Sequence, residues 1–152
     1  MRLLSATVFV VCSLILIAAG DGGEKKGKDK ADGAWIVVGM EQDGKKLPAE
    51  ALDKLEMKLI IKGENYEVSM GGKVIEKGTS SADETKKPIA LDIKPADGPN
   101  KGKTILAIAE IDGDSMKSCY NMEGKDRPKE FSTKEGSGHL LILFKRDAKK
   151  KE

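Results

Sequence analysis

Short apolar runs with a two-residue period recur along the chain from residue 35 onward, and turn-forming residues separate them. In a clear example, Tyr66, Val68 and Met70 alternate with Glu67 and Ser69. Alternation of this kind predicts strands that each have one buried face. We predict eight strands, over residues 35–41, 57–61, 66–70, 73–79, 89–94, 103–111, 115–121 and 139–145.

One segment has a helical period instead. Residues 48–55 begin with Pro48, which is favoured at a helix start, and carry Ala51, Leu52 and Leu55 on one face. The strongest hairpin signal is the Asp-Gly turn at 112–114 between two β-rich runs. We also expect a polar loop over 80–87 and a long loop over 122–138.

Hairpin-length connections between most consecutive strands predict an up-and-down meander. Such a sheet hides its edges best by closing on itself. The predicted fold is therefore all-β, an eight-stranded antiparallel up-and-down barrel with one short helix between strands 1 and 2. The run HLLILF at 139–144 is apolar on both faces, which predicts a central or doubly covered strand.

The N-terminal region has the features of a secretory signal. Arg2 precedes an apolar run over residues 3–19, and the small residues Ala18, Ala19 and Gly20 end it. The alternative is a retained membrane anchor. We expect a signal peptide over 1–20 that is removed, a disordered charged linker over 21–32, one domain over 33–146 and a disordered basic tail over 147–152. The expected location is extracytoplasmic, either periplasmic or secreted, with membrane attachment only if the segment is retained.

Charge and composition limit the partners, cofactors and reactions that the protein can be expected to have. Residues 33–144 carry 17 basic and 19 acidic side chains, and the chain after residue 20 has five aromatic residues, so no nucleic-acid partner is expected. His139 is the sole histidine, and no metal or cofactor is predicted. Cys119 is the one cysteine left after cleavage; it is either a packed side chain or a nucleophile with His139 as its base. We expect the packed role and no enzymatic activity.

The sequence Gly33-Ala34-Trp35 resembles the start of the first strand in lipocalins, which are small barrels that carry apolar ligands. The resemblance implies that Trp35 plugs the closed end of the barrel under a stacked arginine. Barrel closure places the end of the last antiparallel strand beside the start of the first, which favours Arg146 as this arginine. Arg127 is the competing partner.

A longer set of motifs resembles a family of exported lipocalin-like proteins abundant in planctomycete bacteria. The matching segments lie between residues 33 and 146, and the run 107–110 departs from the family by lacking an aromatic residue. The resemblance implies a fold and an extracytoplasmic location but no activity. The segments are GAWIVV, DGKKLP, GGKVIEKGT, DGPNKGKT, IDGDSMKSCY, RPKEF and GSGHLLILFKR.

Two functions follow from this fold. The first is a binding module whose barrel interior holds a small apolar ligand. The alternative is an extracytoplasmic structural or protein-interaction domain with a solid core. Its unknown protein partner would bind a surface at the long loop over 122–138. A cavity inside the barrel would favour the first function. The candidate ligand-binding residues are Val37, Leu59, Tyr66, Val68, Leu91, Ile93, Ala107 and Tyr120.

Overall fold

The structure is a computed structural model that describes residues 30–149. The predicted signal peptide, most of the predicted linker and the last three residues of the predicted tail lie outside the described residues. The ordered elements are β1 (Gly33–Gln42), β2 (Lys45–Lys46), α1 (Ala49–Leu55), β3 (Lys58–Lys62), β4 (Asn65–Met70), β5 (Lys73–Asp83), β6 (Ile89–Pro95), β7 (Ile105–Asp112), β8 (Ser115–Asn121) and β9 (His139–Arg146).

Eight of these strands form a closed antiparallel barrel. From β3 to β9 each strand pairs with the next along the chain, and β1 pairs with both β3 and β9. The two-residue β2 only extends a hairpin on the end of β1. The predicted lipocalin-like barrel with one short helix near its start is therefore confirmed.

Strand β1 closes the barrel mainly through β9. Their register runs from Trp35 opposite Arg146 to Gln42 opposite Leu140, whereas β1 pairs with β3 only through its first four residues. Helix α1 packs against β1. A bulge between Val37 and Gly39 shifts the register. An added Cβ at Gly39 would lie 2.9 Å from Leu143 Cδ1 and 3.2 Å from Leu143 Cβ, so glycine leaves room there for the Leu143 side chain across the strand pair.

The antiparallel order gives the barrel two different ends. We call one the Trp35 end, where β1 begins, β9 ends and three short turns join β3 to β4, β5 to β6 and β7 to β8. We call the other the loop end, which carries the β4–β5 turn, the β6–β7 loop over 96–104 and the β8–β9 loop over 122–138. Longer segments with more varied side chains are thus concentrated at the loop end.

Local corrections to the sequence prediction concern polar segments. Strand β5 runs on to Asp83, because Ser80 to Asp83 pair with Ile93 to Ala90 of β6, and this shortens the predicted loop over 80–87. The hairpin strand β2 was not predicted. Its two lysines offered no alternation, and they pair with Glu41 and Gln42.

Two apolar clusters fill opposite walls of the barrel. Leu59 and Tyr120 pack against both clusters, so they link the two walls. The first cluster contains Trp35, Val37, Leu52, Met116, Ile142 and Phe144, and the second contains Tyr66, Ile93, Ile105 and Ala107.

The β8–β9 loop lies against the outside of the barrel. The Thr133 hydroxyl donates to Glu41 and accepts the backbone N–H of Gly44 at 3.3 Å. Cys119, which faces outward from β8, is buried under this loop. Strand β9 is central, as its apolar sequence predicts, yet its outer face is only partly covered. Leu143 is 41% exposed, and Val38 of β1 is 47% exposed.

Candidate functional site

The barrel encloses a cavity of about 240 Å³ between the two apolar clusters. Exposed Ile75 and Pro99 contribute to its wall, so the cavity reaches the surface at the loop end, between the start of β5 and the β6–β7 loop. Its other lining residues are Val37, Met57, Lys58, Leu59, Ile61, Tyr66, Val68, Glu76, Ser80, Leu91, Ile93, Asn100, Ile105, Met116, Ser118, Tyr120, Met122, Leu140, Ile142 and Phe144.

Seven of the eight candidate ligand-binding residues line this cavity, and Ala107 does not. Ala107 faces inward opposite Tyr120, but it is fully buried in the cluster of Tyr66, Ile93 and Ile105. Its small side chain lies behind larger neighbours instead of leaving space beside them. The seven are Val37, Leu59, Tyr66, Val68, Leu91, Ile93 and Tyr120.

Trp35 and Arg146 close the opposite end of the barrel. The Arg146 guanidinium carbon lies 4.2 Å from the centre of the Trp35 ring, and the Trp35 side chain is 0% exposed. The indole Nε1 donates to the Ala31 carbonyl at 2.8 Å. Arg146 donates to the carbonyls of Lys30 and Asp32, both at 2.8 Å, and its Nε lies 3.3 Å from Asp114 Oδ1. The stacked pair therefore also holds the chain that leads into β1.

Arg127 does not share this role, and its assignment as a competing partner of Trp35 was wrong. Its Nη1 donates to the carbonyls of Leu91 and Ala107, and its Nη2 pairs with Asp92. Asp92 lies on the outer face of β6, so Arg127 ties the β8–β9 loop to the outside of the β6–β7 pair. Arg127 lies within the long β8–β9 loop, and sequence spacing does not show where a residue of such a loop lies in space.

A polar group lies where the cavity meets the loop end. The Tyr66 hydroxyl donates to Glu76 Oε1 at 3.0 Å, and Asn100 Nδ2 donates to Glu76 Oε2 at 2.9 Å. We call these three residues the Glu76 cluster. Sequence reasoning found Tyr66 but missed Glu76 and Asn100, because a glutamate in a strand is normally assigned to the solvent face.

Both cavity tyrosines are held in their protonated form. Burial, followed by the hydrogen bond and charge of Glu76, raises the pKa of Tyr66 above its ordinary value. Burial raises the pKa of Tyr120 to about 12, and a hydrogen bond from Ser118 opposes part of that shift. At neutral pH both phenols are therefore O–H donors.

Cys119 and His139 meet outside the barrel, away from the cavity. The Cys119 thiol donates to the Ser132 carbonyl at 3.7 Å, and His139 Nδ1 lies 3.1 Å from the same oxygen. Burial raises the pKa of the Cys119 thiol. A raised pKa favours the unreactive thiol over the thiolate, which is the opposite of what an activated nucleophile needs.

Within residues 30–149, no group of three or more histidine, cysteine, aspartate or glutamate side chains is placed to hold a metal ion. No helix in the same range has both the length and the apolar character that crossing a bilayer requires. No protein-family model matches the sequence, and a search of the curated proteins gives no match.

Proposed function

We propose that the protein is a binding module whose barrel holds one small, largely apolar ligand. The observation that carries this proposal is the cavity of about 240 Å³ inside the closed barrel, lined mainly by aliphatic and aromatic side chains. Concave, mostly apolar sites with a few placed polar groups are typical of small-molecule binding. The interaction-domain alternative assumes a solid core, so the cavity supports the binding module over that alternative.

The cavity volume sets the size of the ligand. An apolar protein cavity of about 150 Å³ binds benzene, so by proportion a cavity of 240 Å³ has room for roughly ten non-hydrogen atoms. The ligand enters at the loop end, because the stacked Trp35 and Arg146 side chains occupy the other end. A small aromatic or short aliphatic compound fits this space better than a long lipid.

We further propose that the ligand is bound outside the cytoplasm. This part of the proposal depends on the apolar run over residues 3–19 and the small residues that follow it. These residues lie outside the part of the chain that the structure describes.

Calorimetric titration with propylbenzene, a probe of the expected size, tests the binding function. The wild-type protein should bind the probe with a negative heat-capacity change, because apolar surface leaves water. The variant Val68→Phe adds volume to a lining residue of β4 and should weaken binding at least about tenfold.

Val74→Phe is the matched control, because Val74 belongs to the same hairpin but is 45% exposed. It should bind propylbenzene as the wild type does. Circular dichroism of each variant verifies the fold. A wild-type protein that gives no binding signal, or a Val68→Phe variant that binds as tightly as Val74→Phe, would refute the proposal.

A further inference from the structure

Glu76 brings a formal negative charge to the wall of a mainly apolar cavity. In the β4–β5 pair, Glu76 lies opposite Val68, and both residues line the cavity. A bulge at this point inserts Ile75 between Glu76 and Val74, so that Val74 points outward and Glu76 inward. The local backbone therefore turns this carboxylate toward the barrel interior.

The neighbouring residues fix the direction of one carboxylate oxygen. Gly78 follows Glu76 on the same inner face and lies opposite Tyr66. A Cβ at Gly78 would lie 2.9 Å from Cε1 of Tyr66, so the absence of a side chain there admits the aromatic ring. The ring in turn brings its hydroxyl to Glu76 Oε1.

The β6–β7 loop fixes the second oxygen. The backbone N–H of Lys77 donates to Asp97 at 2.6 Å, and the Lys77 carbonyl accepts the N–H of Ala96 at 2.8 Å. A Cβ at Gly98 would lie 2.5 Å from the Ile75 carbonyl, so the loop lies directly on β5. These contacts position the loop so that Asn100 Nδ2 donates a hydrogen bond to Glu76 Oε2.

The charge of Glu76 has no cationic partner among the ion pairs of the described residues. Its strand neighbour Lys77 pairs with Glu67 at 3.2 Å. Lys58, the one cationic residue in the cavity wall, directs its ammonium to Asp147 at 3.1 Å. Each oxygen of an ionised carboxylate accepts about two hydrogen bonds, so Glu76 keeps acceptor capacity after Tyr66 and Asn100 are bound.

We propose that the cavity selects a ligand with a primary ammonium group on an apolar body, and that Glu76 binds the ammonium at the loop end. This inference depends on the proposed binding function and adds the ligand's chemical class. An ammonium supplies the hydrogen-bond donors and the positive charge that Glu76 lacks, whereas a carboxylate ligand would bring like charges together. The hydrocarbon part of the ligand contacts the apolar clusters.

Three probes of nearly equal size test this inference by calorimetric titration: phenylpropylamine, phenylpropanol and phenylpropanoate. The wild-type protein should bind the amine about 10 to 100 times more tightly than the alcohol, and the carboxylate most weakly. Glu76→Gln removes the charge but keeps the shape; its amide oxygen can accept from Tyr66, and its amide N–H can donate to Asn100 Oδ1 if that side-chain amide flips. It should reduce amine affinity by the same factor and change alcohol affinity by less than about twofold.

Glu67→Gln is the matched control, because it removes a carboxylate from the neighbouring strand where Glu67 pairs with Lys77. Phenylpropylamine and phenylpropanol should each bind Glu67→Gln with the affinity that they have for the wild type. Equal binding of amine and alcohol, or an unchanged amine affinity in Glu76→Gln, would overturn the inference and leave the binding function standing. Failure of propylbenzene and of all three probes to bind would overturn the binding function itself.

Discussion

Replacing Trp35 with alanine removes the largest fully buried side chain of the described residues and opens the closed end of the barrel. Aromatic side chains of this kind bury about 150 to 250 Å². At about 25 cal/mol per Å², this burial corresponds to an upper value of about 4 to 6 kcal/mol. Alanine retains the Cβ atom and the site relaxes in part, so we expect a loss of about 3 to 5 kcal/mol in the free energy of unfolding.

Two specific contacts of the ring bring the loss toward the upper end of that range. The Arg146 stack contributes about 1 to 2 kcal/mol, and the hydrogen bond to the Ala31 carbonyl about 1 kcal/mol. Arg146→Met retains most of the packing but no charge, so it should lose less stability than Trp35→Ala.

Urea unfolding followed by circular dichroism measures these changes. Tryptophan fluorescence is unsuitable, because Trp35 is the single tryptophan of the chain. Val74→Ala, at a position 45% exposed, is the control and should change stability by less than about 0.5 kcal/mol. A loss below about 1 kcal/mol for Trp35→Ala would show that the ring does not seal the barrel.

The remaining predictions concern the tyrosines and the N-terminal segment. Because folding raises the pKa of Tyr120 from 10.0 to about 12, its stabilising contribution should be complete below pH 10 and disappear as the pH rises through about 12. Phenolate absorbance and urea unfolding across this range measure the effect, and a Tyr120 that ionises near pH 10 in the folded protein would contradict it. Protein recovered from its native host should have an intact mass that lacks residues 1–19 or 1–20, whereas a full-length, membrane-bound protein would contradict signal cleavage.

Strand alternation and closure geometry made much of the barrel predictable. The two-residue period gave the strands, and antiparallel closure brought the end of the last strand to the start of the first, so that Arg146 faces Trp35. These features depend on local pattern and on the chain's connectivity, both of which are visible in one sequence.

The Glu76 cluster was not predictable in the same way. Without the bulge at Ile75, the alternation places Glu76 on the same face as Val74. A bulge depends on how two strands pair, so the sequence of either strand alone does not reveal it. Asn100 comes from a loop whose position depends on backbone contacts with β5. Sequence reasoning therefore identified the apolar wall of the cavity but not its charged group.

The location of a bound probe tests the account most directly. In the methyl NMR spectrum of the protein with propylbenzene, we expect nuclear Overhauser contacts from the probe to Leu91, Ile93 and Val68, which line the cavity. We expect none to Leu143, which is exposed on the outer face of β9. Contacts confined to Leu143 and its outer neighbours, or an absence of contacts at saturating probe, would contradict an interior binding site.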